Sequence, residues 1–175
     1  HGPVQFILTG SSARRLKGAG VNLLGGRLAI RRMHPFMGAE LGNRFHLAKA
    51  LSGGLLPVVL GSPDPEETLR SYAALYVREE VQAEGLVRQA GAFSRFLEAA
   101  ALSHGSILNI SNMARDCEIG RKAAEAYVQI SEDLLLAFRL PPFVKKAKRL
   151  LTFHPKFFFS DAGIFSSLRP RGPLD

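Results

Sequence analysis

Three groups of residues in this chain have the types and spacing for chemistry. The first is Thr9-Gly10-Ser11-Ser12, at the end of the apolar run VQFILT. In open α/β sheets ligands bind beyond the carboxyl ends of the strands. Thr9 there could hydrogen-bond a γ-phosphate or its attacking water, with Ser11 beside it. The plainer alternative is a polar strand end that caps the next helix. The second is Arg27, which follows Gly25-Gly26; it either reaches a phosphate or pairs with an acid. The third is basic and lies further on. Arg121, Lys122 and Gln129 sit on the outward side of a predicted helix, and Lys145, Lys146, Lys148 and Arg149 form a tight run. Such residues contact nucleic-acid phosphates, although Glu118 and Glu125 nearby would repel them. The alternative is an ordinary solvated hairpin and helix face.

Other chemistries lack their residues. No G-x-x-x-x-G-K-[ST] loop occurs, so nothing in the chain cradles β- and γ-phosphates. No apolar strand ends in Asp-Glu to hold Mg²⁺. The histidines at 1, 34, 46, 104 and 154 are scattered, and no Cys/His cluster has zinc spacing; no metal is expected. The single cysteine, Cys117, reads as a small packing residue in a turn. No apolar run approaches the ~20 residues of a membrane span. The chain is therefore expected to be cytoplasmic and away from membranes.

The elements that position these residues follow from pattern. Residues 4–9 and 27–33 read as short strands. A helix is expected over about 39–51. Gly61-Ser62-Pro63-Asp64-Pro65 is a strong loop, and Pro65-Glu66-Glu67 opens a long helix over 66–89 with proline and acids at its positive end. Residues 93–103 form the next helix, with Phe96, Leu97, Ala100 and Ala101 inward. Two shorter helices follow at 111–116 and 121–132, with Ile107 and Leu108 packed beneath the first. Strands at 134–140 and 156–160 then flank the basic run, and a short helix covers 161–168. A helix, a tight turn, a second helix and a hairpin around a basic loop make the winged-helix layout. Charge is uneven within the net +8 of the 175 residues. Residues 1–60 carry eight Lys/Arg against one acid, 61–140 eight against twelve, and 141–175 seven against two. Two basic ends around an acidic middle suggest two surfaces that attract anions.

The run FILTGSSARRLKGAGVNLLGGRLAIRRMHPF resembles the segment after the Walker B strand in a prokaryotic AAA-type ATPase family. GGLLPVVLGSPDPEETLRSYAALYVREEVQAE is similar to that family's Gly-Leu-Pro element and Tyr-rich helix. The segments ILNISNMARDCEIGRKAAEAYVQISEDLLLAFRLPPF and HPKFFFSDAGI are similar to its C-terminal domain of unknown function, a winged helix leading into a restriction-endonuclease-like core. The resemblance implies that Thr9 lies on the sensor strand and that Arg27 is the candidate arginine contacting the γ-phosphate, in cis or from a neighbour. It also implies that Asp161 is the aspartate of an Asp-x-Gly at the entry to the nuclease-like core. The chain departs from the family in lacking both phosphate-binding motifs, which lie N-terminal of this segment there, and in having no Asp/Glu-x-Lys after Asp161.

These readings give an α+β, mostly helical fold: a partial ATPase sheet over 1–60, connecting helices over 61–105, and a winged helix with the start of a nuclease-like domain over 106–175. The chain is expected to be an internal fragment of a longer protein that binds ATP and Mg²⁺, inactive by itself, with exposed sheet edges that favour self-association. Its winged helix would be moved by nucleotide state to bind DNA or a protein partner. The alternatives are a nucleotide-independent DNA-binding protein and a purely structural docking module.

Overall fold

A computed structural model describes residues 31–76, 90–143 and 154–169, together with residues 7, 9, 10, 29, 79, 81 and 82. The chain divides into two compact units, His1–Met33 and His34–Asp175. In the first unit Ile7, Thr9, Ala29 and residues 31–33 belong to no strand, which departs from the strands expected at 4–9 and 27–33. A strand exists through its ladder, and none of these residues enters one. The other residues of both expected strands lie outside the described ones.

The second unit is α+β and mostly helical. In order it has α1 (Gly38–Leu41), a 3₁₀ turn (Gly42–Arg44), α2 (Leu47–Gly53), α3 (Pro57–Leu60), α4 (Pro65–Ser71) and a π-turn (Tyr72–Tyr76). Then come α5 (Ala90–Leu102), α6 (Ile110–Asp116), α7 (Arg121–Asp133), β1 (Ala137–Leu140), β2 (Lys156–Phe159) and α8 (Ala162–Leu168). The loop at 61–65 lies inside this unit, and Leu56, Val59 and Leu69 on its two sides join one core. α4 starts as its residues dictate: Pro65 takes the first turn and the Asp64 side chain accepts the Glu67 amide at 3.0 Å. The π-turn interrupts the long helix expected over 66–89.

α5 is the central helix. Phe93, Phe96, Leu97, Ala100 and Ala101 are buried, and Tyr127 from α7 meets Phe93 and Phe96 edge-on at 5.3 and 5.5 Å. Such pairs add to plain burial. Met113 and Ala114 of α6, and Ala124, Tyr127, Val128 and Ile130 of α7, face the same core, as the 3.6-residue spacing predicts. Leu108 is buried beneath α6, whereas Ile107 is 63% exposed. The expected joint packing of these two fails because adjacent extended residues point to opposite sides.

Both helices of the 110–133 segment end in the same way without glycine. Glu118 and Leu135 take φ of 55° and 58°. After α6, Ile119 donates to Ala114 O and Glu118 to Arg115 O; after α7, Leu136 donates to Ser131 O and Leu135 to Glu132 O. These paired bonds close a helix C-terminus and turn the chain sharply. The second reversal launches β1, which pairs antiparallel with β2 in the register Ala137–Phe159, Phe138–Phe158, Arg139–Phe157 and Leu140–Lys156. Ile107 forms an antiparallel bridge to Lys156, and His104 a parallel one to Phe157.

Candidate functional site

Of the nucleotide-sensing candidates, Thr9 is exposed, while Ser11 and Arg27 lie outside the described residues. Lys145, Lys146, Lys148 and Arg149 lie outside them as well. Arg121, Lys122 and Gln129 are exposed on α7, on the side opposite its apolar stripe.

That side of α7 is laced with its own contacts. Arg121 Nε donates to Glu125 at 3.1 Å, one turn along. Gln129 donates to Asp133 at 3.2 Å and accepts from Arg139 at 3.2 Å. Arg139, on β1, also binds both carboxylate oxygens of Glu132 through Nε (2.9 Å) and Nη2, a two-pronged pairing that an arginine fork makes well. The Glu132 hydrogen bond holds the Arg139 pKa above its ordinary value against the opposing effect of burial. Glu132 takes the Arg139 backbone N–H too, at 3.0 Å. An outer-edge amide of β1 is thereby occupied, which blunts edge-to-edge pairing. The surface carries Arg121, Lys122 and Arg139 against Glu125, Glu132 and Asp133, so its charges balance.

Asp161 is 4% exposed and is held by backbone amides. Its Oδ1 accepts from Gly163 and Ile164 at 2.9 and 3.1 Å, capping α8. Its Oδ2 accepts from Leu55 at 2.6 Å, across 106 residues of sequence. Two glycines make room. Gly54 has φ of 75°, and a Cβ on it would overlap the Asp161 carboxylate; a Cβ on Gly163 would overlap the Gly53 carbonyl. The Gly-Gly-Leu-Leu-Pro and Asp-Ala-Gly motifs thus meet as one clasp. A carboxylate whose oxygens are all committed to amides is poorly placed to bind a metal. Among the described residues no three His, Cys, Asp or Glu side chains cluster in a metal-binding arrangement.

Sequence reasoning missed His104. Its ring stacks on Phe165 at 4.3 Å and meets Phe158 edge-on at 5.5 Å, while Nδ1 accepts the Phe159 amide at 3.1 Å. The acceptor role fixes Nδ1 as unprotonated, and burial lowers the His104 pKa below its ordinary value. The signal lay in the sequence as a histidine just after an amphipathic helix, facing an aromatic strand, but nothing local announced the pairing. Cys117 is buried, with its Sγ 3.8 Å from Arg95 O. Burial foremost, then Asp116, pushes its thiol up, which makes it a poor nucleophile. No helix among the described residues is long and apolar enough to cross a membrane.

Residues 44–175 match the model of a domain of unknown function, DUF8612. Two mycobacterial relatives, the uncharacterized protein Mb2031c of Mycobacterium bovis and the uncharacterized protein Rv2008c of Mycobacterium tuberculosis, are each 21% identical over 168 residues. The match covers 95% of this chain and 38% of each relative, so the chain spans well under half their length. No solved structure matches.

Proposed function

The chain belongs to the family of the domain of unknown function DUF8612, and on that premise we propose that it is the docking portion of a larger AAA-type ATPase. In this reading nucleotide state shifts a winged-helix module onto a protein partner. Three observations support it: the likeness of the FILTGSS and GGLLP segments to that ATPase family, the greater length of the mycobacterial relatives, and the element order of residues 90–159. Helix, bridging residue, helix, turn, helix and hairpin follow one another there as in winged helices.

The observation that carries the choice of a protein partner over DNA is the charge pairing on the open side of α7. Arg121 is committed to Glu125 and Arg139 to Glu132. A duplex would have to break those pairs and accept three carboxylates near its phosphates. The DNA-binding reading is favoured by one feature, the exposure of Arg121 and Lys122 in the first turn of α7, where a recognition helix meets base edges.

The sequence has no phosphate loop, and of the three nucleotide-sensing candidates only Thr9 is among the described residues. ATP and Mg²⁺ would be held by other parts of the larger protein, and this chain alone is expected to show no ATP turnover. A salt titration of duplex DNA binding tests the choice of partner. We expect only weak binding near ~0.15 M salt, with Arg121→Ala and Lys122→Ala changing it less than about twofold. A loss of about tenfold in both variants, with a shallower salt slope, would establish the DNA reading instead.

A further inference from the structure

Each face of the hairpin is mainly apolar, with Arg139 on the inner face opposite Phe157 and Lys156 on the outer. Ala137, Phe157 and Phe159 point inward and are buried. The register fixes the other face, because directly opposed residues of an antiparallel pair lie on the same side. Phe138 stands opposite Phe158, and Leu140 opposite Lys156, which Ile107 flanks from the far side. Phe138 is 44% exposed, Leu140 51% and Ile107 63%. A hairpin with one solvated face alternates apolar and polar residues, and this one does not. Exposed contiguous apolar surface marks a place where something docks.

Charge says what kind of partner fits. Lys156 is set in the middle of the apolar row, and no acid stands among the residues described on that face; Arg139, on the other face, is already paired with Glu132. We propose that this outer face receives an acidic amphipathic segment of a partner protein, its apolar side chains on Phe138, Leu140 and Ile107 and its carboxylates toward Lys156. The proposal rests on the protein-docking reading above and names its surface and partner chemistry. Single-stranded nucleic acid fits less well. Phe138 and Phe158 stack on one another, with centroids 5.5 Å apart and planes at 15°, so each spends a ring face on its neighbour that base stacking would need. Leu140 and Ile107 offer no stacking surface at all.

The test uses two labelled helical peptides of about 16 residues, Leu along one face and either Glu or Lys along the other. They are titrated with the chain in fluorescence anisotropy at ~0.15 M salt. The Glu peptide should bind, and the Lys peptide about tenfold more weakly or worse. Leu140→Ser and Ile107→Ser, both at exposed positions, should each weaken the Glu peptide about tenfold with unchanged circular dichroism. Lys156→Glu should reverse the preference between peptides. Absence of binding, equal binding of both peptides, indifference to the serine variants, or displacement by an oligo-dT strand would overturn the proposal. So would a dimer, seen by sedimentation, that the same serine variants dissociate. Failure of the peptide assay removes this surface, while the choice between a protein partner and DNA is decided separately by the duplex titration.

Discussion

Single residues hold the second unit together through unusual commitments. Asp161 is the clearest, because one buried carboxylate satisfies an amide from residue 55 and two from α8. Removing it leaves three amide donors without their acceptor. Asp161→Ala should therefore cost about 3 kcal/mol, at roughly 1 kcal/mol per orphaned buried donor, read from urea unfolding. A loss below about 0.5 kcal/mol, the scale of ordinary surface substitutions, would show that the clasp is incidental. The motif containing Asp161 was visible in the sequence. Its partner was not, because a contact spanning 106 residues leaves no local pattern, and the role implied by resemblance said nothing of Leu55. His104 carries a pH dependence. Unfolded, it titrates near 6.5, and burial lowers that value in the folded chain. Between the two values the unfolded chain binds the extra proton, so the contribution is complete above about 6.5 and is lost as pH falls toward the folded value. The urea midpoint should drop as pH is lowered below about 6.5, and His104→Asn, which keeps an acceptor near the Phe159 amide, should flatten that drop. An unchanged slope in the variant would assign the acid sensitivity to other groups.

At the scale of elements, periodicity and end signals located most of the second unit. α5, α6, α7, β1, β2 and α8 lie within three residues of where apolar spacing and capping residues put them. The buried stripe of α7 also follows from its sequence, since Ala124, Tyr127, Val128 and Ile130 recur at helical intervals. What the pattern did not reveal were features set by backbone geometry or distant partners. The π-turn at 72–76 has neither glycine nor proline to mark it, and the Glu132–Arg139 clamp joins a helix to a strand. The two helix stops at Glu118 and Leu135 use the left-handed conformation that glycine normally supplies, so a glycine search passes over them. That gives a test of backbone strain. Glu118→Gly should stabilise the chain by about 1 kcal/mol, the usual cost of a side chain in that conformation, visible as a rise in Tm. A fall in Tm would mean that the entropy glycine adds to the unfolded chain outweighs the strain relieved.

For the whole molecule, the hydrophobic pattern indicated an α+β, mostly helical chain, and the second unit has that character. The candidate site was legible only in part. Arg121, Lys122 and Gln129 are outward on α7 as their spacing implies, but of the acids beside them the sequence pointed only to Glu118 and Glu125, and the fold adds Asp133 and the Glu132–Arg139 pair. Charge along a sequence says which residues are present, and only packing decides which of them neutralise each other. The outer face of the hairpin was missed for a related reason. Lys-Phe-Phe-Phe reads simply as an apolar strand, and only the register shows that Phe158 shares an uncovered side with Phe138, Leu140 and Ile107. On the docking proposal this molecule meets its partner through the hairpin and not through α7. Amide chemical-shift mapping tests that most directly, with duplex DNA and the Glu/Leu peptide added in separate titrations. The peptide should shift residues 104–107, 138–140 and 156–158, while DNA at ~0.15 M salt leaves residues 121–129 unmoved. Shifts concentrated at residues 121–129 on adding DNA, with a silent hairpin on adding peptide, would contradict it.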